Sequence, residues 1–269
     1  MKILQILLVL VFLAVAAVYG IQDLRSNGSA AQEAPVISCD ADLVEISVFD
    51  DDSALLAGVT ATDAQDGDLS GQVLVSGVSK LLTNDTARVT YVVFDSDDNM
   101  ATMTRQLRYT DYRRPRFSIE EPLIYGLYGD IPLLERLHAT DVVDGNITGN
   151  IRVSYTEATE IQDVYIMDVR VTNSMGDTAA LTVPVVLLEE NTDPLDVYLD
   201  TYLLYLNTGD SFDADEHLER VEYDGLYVSR GNVTVSGQVD TDTPGTYMVY
   251  YQGVYGSHRG TAVLTVVVE

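Results

Sequence analysis

An eight-residue phrase occurs twice in this chain. Asp63-Ala64-Gln65-Asp66-Gly67-Asp68-Leu69-Ser70 returns 78 residues later as Asp141-Val142-Val143-Asp144-Gly145-Asn146-Ile147-Thr148. A period of that size is close to the length of a small sandwich domain and suggests a string of similar modules. The phrase is also rich in turn formers. Asp and Asn side chains bond nearby backbone N–H groups, and Gly supplies positive φ.

Other positions keep the same period. Asp50, Asp130 and Asp210 recur at intervals of 80, and Asp66-Gly67 and Asp144-Gly145 are followed by Asp224-Gly225. Pro35, Pro115 and Pro194 open the units. Each unit closes with two apolar runs around a polar turn: Val89 to Phe94 and Met100 to Tyr109, Val164 to Val171 and Thr178 to Leu188, Tyr247 to Tyr251 and Thr261 to Val268. In the last pair the turn is expected over Gly253 to Gly260. The units are placed at 35–112, 113–191 and 192–269. The third is the most diverged, with Val221 where the others have Asp63 and Asp141.

Alternation of apolar and polar residues dominates within the units, as in Leu43 to Val48, Gln72 to Ser76 and Asn232 to Ser236. That period-two pattern predicts half-buried strands. Short helical turns are expected around Ser53–Leu56, Leu133–Leu137 and Ala214–Glu219. The fold class is therefore all-β: three tandem Greek-key sandwiches after an N-terminal hydrophobic helix. That helix is the apolar stretch within 1–21, a signal peptide or signal anchor. Residues 22–34 read as a flexible tether.

The formal charge is −27, from 42 acids against 15 bases. Such a chain repels nucleic-acid phosphates and anionic membrane surfaces, so no nucleic-acid partner is expected, and membrane contact only through the N-terminal helix. The sole cysteine, Cys39, has no intramolecular partner and is expected as a half-buried strand residue. Packing must hold each module together.

The phrase with its flanks, Ala61 to Ser70 and Ala139 to Thr148, resembles the Ala-Thr-Asp-x-x-Asp-Gly-Asp/Asn-hydrophobic-Ser/Thr hallmark of bacterial surface immunoglobulin-like domains, the type also found in insecticidal crystal toxins and Gram-positive surface proteins. Unit three carries the related stretch Val233-Thr234-Val235-Ser236-Gly237-Gln238-Val239-Asp240, then Thr243-Pro244-Gly245-Thr246-Tyr247. The resemblance implies Ig-like sandwiches used as spacers or adhesive modules. It names no ligand. The Lys–Asn isopeptide lock of pilus-like Ig modules is ruled out for units two and three, because the only lysines are Lys2 and Lys80.

Asp63, Asp66 and Asp68, with their counterparts Asp141, Asp144 and Asn146, are a candidate calcium site, since calcium takes several oxygen ligands. The competing reading is that they cap and shape a tight loop. No other cofactor is expected. Asp95-x-Asp97-x-Asn99 mimics the start of an EF-hand but has Met100 in place of Gly and Gln106 in place of the final Glu, so a hairpin turn is expected. His138, His217 and His258 are single, which argues against zinc. Tyr198, Tyr202 and Tyr205, and Tyr247, Tyr250 and Tyr251, are read as strand core with hydroxyls at the rim, or as a sugar- or protein-binding face. Neither a nucleophile elbow nor a phosphate-binding Gly loop is present.

These features predict a non-enzymatic cell-surface stalk or adhesion module, at the extracellular face of a bacterial membrane or secreted. Its partner would be a surface protein or a glycan. The alternative is a carbohydrate-binding or accessory subunit of an extracellular enzyme complex.

Overall fold

The computed structural model describes residues 33–83, 85–190 and 192–269. The expected leader and nearly all of the tether lie outside the described residues. Among the described residues no helix is long and apolar enough to cross a membrane.

The first repeat contains β1 (Val36–Cys39), β2 (Leu43–Ile46), the one-turn helix α1 (Asp52–Leu55), β3 (Val59–Asp63), β4 (Gly67–Asp68), β5 (Leu74–Val78), β6 (Thr86–Phe94) and β7 (Met100–Tyr109). The second contains β8 (Arg116–Ile119), β9 (Ile124–Gly126), β10 (Leu137–Asp141), β11 (Gly145–Asn146), β12 (Arg152–Ala158), β13 (Val164–Thr172) and β14 (Thr178–Leu188). The third contains β15 (Asp196–Leu199), β16 (Leu203–Leu206), β17 (Leu218–Tyr223), β18 (Leu226–Tyr227), β19 (Val233–Ser236), β20 (Gly245–Tyr255) and β21 (His258–Val268).

One topology is used three times. A three-stranded sheet takes the first, third and fourth strands, as in β1-β3-β4. A four-stranded sheet takes the others in the order second, seventh, sixth, fifth, as in β2-β7-β6-β5. In the second and third repeats the second strand runs parallel to the seventh, with Val186 beside Ile124 in β14 and β9, and Leu203 beside Thr265 in β16 and β21. The chain thus switches sheets after its first strand. The expected helical turns are present as α1 and as 3-10 turns at Leu133–Glu135 and Ala214–His217. Asp51 caps α1 by accepting from the Ser53 N–H at 2.9 Å. Cys39 is half-buried in β1, as expected.

The chain forms two compact units. One holds the described residues up to Val44 with Asp50–Val78 and Arg88–Leu107; the other holds Glu45–Phe49, Ser79–Ala87 and Arg108–Glu269. In the first, Ala61, Val89, Tyr91, Val93 and Leu107 are buried, and the Tyr91 hydroxyl donates to Leu55 O at 2.6 Å. β7 buries Arg105 and Leu107 while Thr104 and Gln106 stay exposed. That alternation marks a sheet with one dry face.

The second unit differs. Its hydrophobic core is continuous from Phe117 to Val268, through both the second and third repeats. A smaller cluster joins Val164 and Val186 of the second repeat to Val263 of the third. The sequence cause is visible in the last strands. Val183-Pro184-Val185-Val186-Leu187 in β14 and Ala262-Val263-Leu264-Thr265-Val266 in β21 are buried at every position. A strand dry on both faces needs apolar residues without alternation. Burying one valine contributes about 1.5–3 kcal/mol, so outward-facing Val186 and Val263 join the two repeats by the same force that builds each core.

The third hairpin departs from the expectation. The turn is not spread over Gly253 to Gly260. β20 and β21 pair continuously to Tyr255 and His258, and only Gly256-Ser257 turns, with Gly256 at φ +64. Gly253 and Gly260 face each other within the ladder because the incoming chain crosses there. A Cβ on Gly253 would lie 2.6 Å from Leu195 Cδ2, and one on Gly260 would overlap Leu195 O. The Leu195 N–H donates to Arg259 O at 3.0 Å. The glycines make room rather than a turn.

Candidate metal loops and the hairpins they hold

Every Asp, Asn, Ser and Thr of the repeated phrase has a defined partner. Asp63 ends β3, and its Oδ1 accepts from the N–H of Gln65 at 2.7 Å and of Asp66 at 2.9 Å. Asp141 does the same for Val143 at 2.9 Å and Asp144 at 3.0 Å. Gly67 and Gly145 follow at φ +75 and +68, a conformation that strains any residue with a Cβ. Asp68 and Asn146 accept from the N–H of Ser70 at 2.9 Å and of Thr148 at 3.0 Å. The hydroxyls of Ser70 and Thr148 accept in turn from the N–H of Ala61 at 3.1 Å and of Ala139 at 3.0 Å. Leu69 and Ile147 fill the core. Hydrogen bonds from Ser70 hold the Asp68 carboxyl below the usual carboxylate range.

The middle carboxylate reaches furthest. Asp66 accepts from the Ser96 N–H at 2.7 Å and hydroxyl at 2.9 Å, and so grips the β6–β7 turn. Asp144 accepts from the Ser174 N–H and hydroxyl, both at 2.6 Å, and grips the β13–β14 turn. Ser96 and Ser174 escaped the reading of the sequence. The signal was a serine 30 residues after each middle Asp.

The six candidate calcium ligands therefore point at different backbone amides. Among the described residues, no group of three or more His, Cys, Asp or Glu side chains is arranged to hold a metal ion. The hairpin reading of Asp95-x-Asp97-x-Asn99 agrees with the structure: Asp95 Oδ1 accepts from the N–H groups of Asp97 at 2.9 Å and Asn99 at 2.8 Å, and Asp98 takes φ +63.

In the second repeat the loop extends into a buried network. Asn173 donates through Nδ2 to Asp141 Oδ2 at 3.0 Å and to the Tyr112 hydroxyl at 2.8 Å. Tyr112 donates to Asp177 Oδ2 at 2.9 Å, and Arg114 reaches Asp177 Oδ1 at 3.2 Å. Asp141 and Asn173 are 7% and 5% exposed, so each depends on these partners. Burial first, and then the Asp177 hydrogen bond, push the Tyr112 hydroxyl well above the usual tyrosine range. The segment entering the second repeat is thus tied to that repeat's last hairpin.

The third repeat makes the same tie with the roles exchanged. Here the entering segment supplies the acid. Asp193 Oδ2 accepts from the Tyr223 hydroxyl at 2.7 Å and lies 3.5 Å from His258 Nδ1. Tyr223 packs against His258, with ring centroids 4.0 Å apart. Tyr223 precedes Asp224-Gly225, so an aromatic contact replaces the Asp–Ser clamp of the other repeats. The hydrogen bond to Asp193, with desolvation, raises the Tyr223 pKa to about 12.

The remaining candidates have structural partners or lie in strands. His138 lies in β10 opposite Ser118. His217 contacts Asp200 at 3.0 Å and stacks on Phe212. Tyr202 and Tyr251 are buried, Tyr198 lies under the Arg220 guanidinium at 3.8 Å, and the Tyr205 hydroxyl accepts from the Phe117 N–H at 3.1 Å. Tyr247 donates to Thr243 O at 2.8 Å. Tyr250 packs beside the cluster of Val164, Val186 and Val263.

Residues 205–267 match the family described as bacterial Ig-like domain (group 3). No curated protein matches the chain. Among solved structures, the M60 catalytic domain with the CBM51-1 and CBM51-2 domains of Clostridium perfringens ZmpB is 13% identical, over 87% of this chain and 30% of that one, at a TM-score of 0.24. The protocadherin gammaB7 EC3-6 cis-dimer structure is 9% identical, over 88% and 74%, at 0.22. Human CDH23 EC21-23 is 11% identical, over 87% and 100%, at 0.20. The chain spans less than a third of the length of the Clostridium structure.

Proposed function

Taking the third repeat as a bacterial Ig-like domain, we propose that the chain is a surface-exposed, non-enzymatic module of three tandem Ig-like Greek-key sandwiches, a stalk or adhesion module that presents a binding face. Bacterial Ig-like domains are typically extracellular or surface-exposed, which supports this placement. The carrying observation is how the polar clusters are used. The repeated acidic loops, the buried Asp141–Asn173–Tyr112 network and the Asp193–Tyr223 tie each hold a hairpin or an entering segment in place. The carboxylates act as clamps, and the shared core of the second and third repeats makes one stiff body of them.

The test is a turnover screen. The full chain, incubated with a panel of glycosides, peptides and phosphoesters, should turn over none of them. Turnover that a single point substitution abolishes without lowering the melting midpoint would overturn the reading. The second reading, a carbohydrate-binding accessory module, is favoured by one feature, an arginine-lined groove on the second repeat.

A further inference from the structure

The strands β12, β13 and β14 present an outer face that is unusual for so acidic a chain. Arg152 stands directly opposite Arg170, which stands opposite Ala180; one step along, Ser154 faces Asp168, which faces Thr182. All six share one face, because side chains two apart along a strand point the same way. They line an open groove of about 520 Å³ that Thr246 of the third repeat completes. A second groove of about 510 Å³ shares Ala180 and Leu181 with it and is lined by Arg113, Arg114 and Arg116. Five of the chain's 15 basic residues therefore lie on one belt of a protein whose net charge is −27.

Like charges directly opposite on paired strands are destabilising. Arg114 and Arg116 are offset by Asp177 and Glu269. Asp168 is the acid in the first groove, and its Oδ1 accepts from the Thr182 hydroxyl at 2.7 Å. Among the described residues the Arg152 guanidinium donates only to its neighbour Ile151 O, at 3.3 Å. Among the described residues the Arg170 guanidinium has no hydrogen-bond or ion-pair partner. Beyond Arg170 the next strand offers only Ala180, a poor strand former, and Arg152 and Arg170 are both exposed. A bound oxyanion would relieve the repulsion of this pair, because a guanidinium fork matches it in shape and charge.

We propose that this face is a binding site for an acidic polysaccharide, with Arg152 and Arg170 holding a sugar carboxylate and the Ser154 and Thr246 hydroxyls meeting adjacent sugar hydroxyls. The groove is open along the sheet, as a polymer requires. It interleaves guanidiniums with hydroxyls, the pairing that a sugar acid offers. The inference adds a ligand class and a location to the surface-module reading, and its test is independent of the turnover screen.

The test uses the full chain and three immobilised polymers, polygalacturonate, neutral dextran and poly-glutamate, at about 0.1 M salt. There the Debye length of about 10 Å screens long-range repulsion from the acidic body while contact pairs persist. Polygalacturonate should bind, dextran should not, and poly-glutamate should bind about tenfold more weakly or less. Arg152→Ala with Arg170→Ala should weaken polygalacturonate binding at least about tenfold with the melting midpoint unchanged or raised, because the like-charge pair is gone. Arg230→Ala, in the third repeat, should bind as the parent does. Absence of polygalacturonate binding, an unchanged affinity in the double variant, or equal binding of poly-glutamate each overturns the proposal.

Discussion

Asp144 takes two hydrogen bonds from Ser174, one from its N–H and one from its hydroxyl, both at 2.6 Å. Thirty residues separate the partners, and the same pair recurs as Asp66 and Ser96. The carboxylate thereby fastens the β10–β11 loop to the β13–β14 turn. Removing it should cost about 1–2 kcal/mol, and Ser174→Ala should cost less, because the backbone N–H still donates. A double-mutant cycle of Asp144→Ala with Ser174→Ala should show positive coupling. Strict additivity would mean the bonds do not stabilise the fold.

If the acidic loops are clamps, calcium has little to add. The melting midpoint of the full chain should be the same in EDTA and in millimolar calcium. A ligand that binds only the folded state must raise the midpoint by mass action. A rise that disappears on replacing Asp63 and Asp141 with Ala would make these loops metal sites.

The facing glycines of the third hairpin differ in what surrounds them. Gly260→Ala drives a methyl into the Leu195 carbonyl, which is backbone, whereas Gly253→Ala meets the Leu195 side chain at 2.6 Å. Gly149 has open space around its missing Cβ. Denaturant melts should rank the losses as Gly260→Ala over Gly253→Ala over Gly149→Ala. The first should cost several kcal/mol and the last about zero. Equal losses would show that the crossing of Leu195 is not close.

Tyrosines should govern the alkaline limit. Among the described residues eight tyrosines have raised pKa values: Tyr91, Tyr112, Tyr125, Tyr202, Tyr205, Tyr250 and Tyr251 chiefly through burial, and Tyr223 chiefly through its bond to Asp193. A raised folded pKa means the native state keeps its proton longer than the unfolded state. This stability is intact below the ordinary tyrosine value near 10 and is lost as pH rises through the folded values. The phenolate absorbance of these eight should therefore rise late, in a cooperative phase that coincides with unfolding. In Tyr223→Phe the titration should lose one group near pH 12. A single phase centred near 10 would contradict the burial of these rings.

The motif was legible in the sequence because its chemistry is local. Asp63, Gly67, Asp68 and Ser70 bond within one loop, so spacing alone revealed a turn. What escaped was the long-range half. Ser96, Ser174, Asn173 and Tyr112 meet the loops only after the sheets have closed. Gly253 and Gly260 were read as turn residues because Gly favours turns, yet their constraint is the crossing of Leu195, which periodicity does not report. The joining of the second and third repeats was written in β14 and β21, whose apolar runs do not alternate as β7 does.

That joining is tested most directly by native-state hydrogen exchange on the full chain carrying Val263→Ala. Val263 lies in the third repeat and packs with Val164 and Val186 of the second. The cavity should cost about 1–3 kcal/mol. In a single cooperative unit, amide protection should fall together in β13–β14 and in β20–β21. Loss confined to residues 192–269, with β13 and β14 protected as in the parent, would mean that the two repeats fold separately and that their shared core contributes nothing to either.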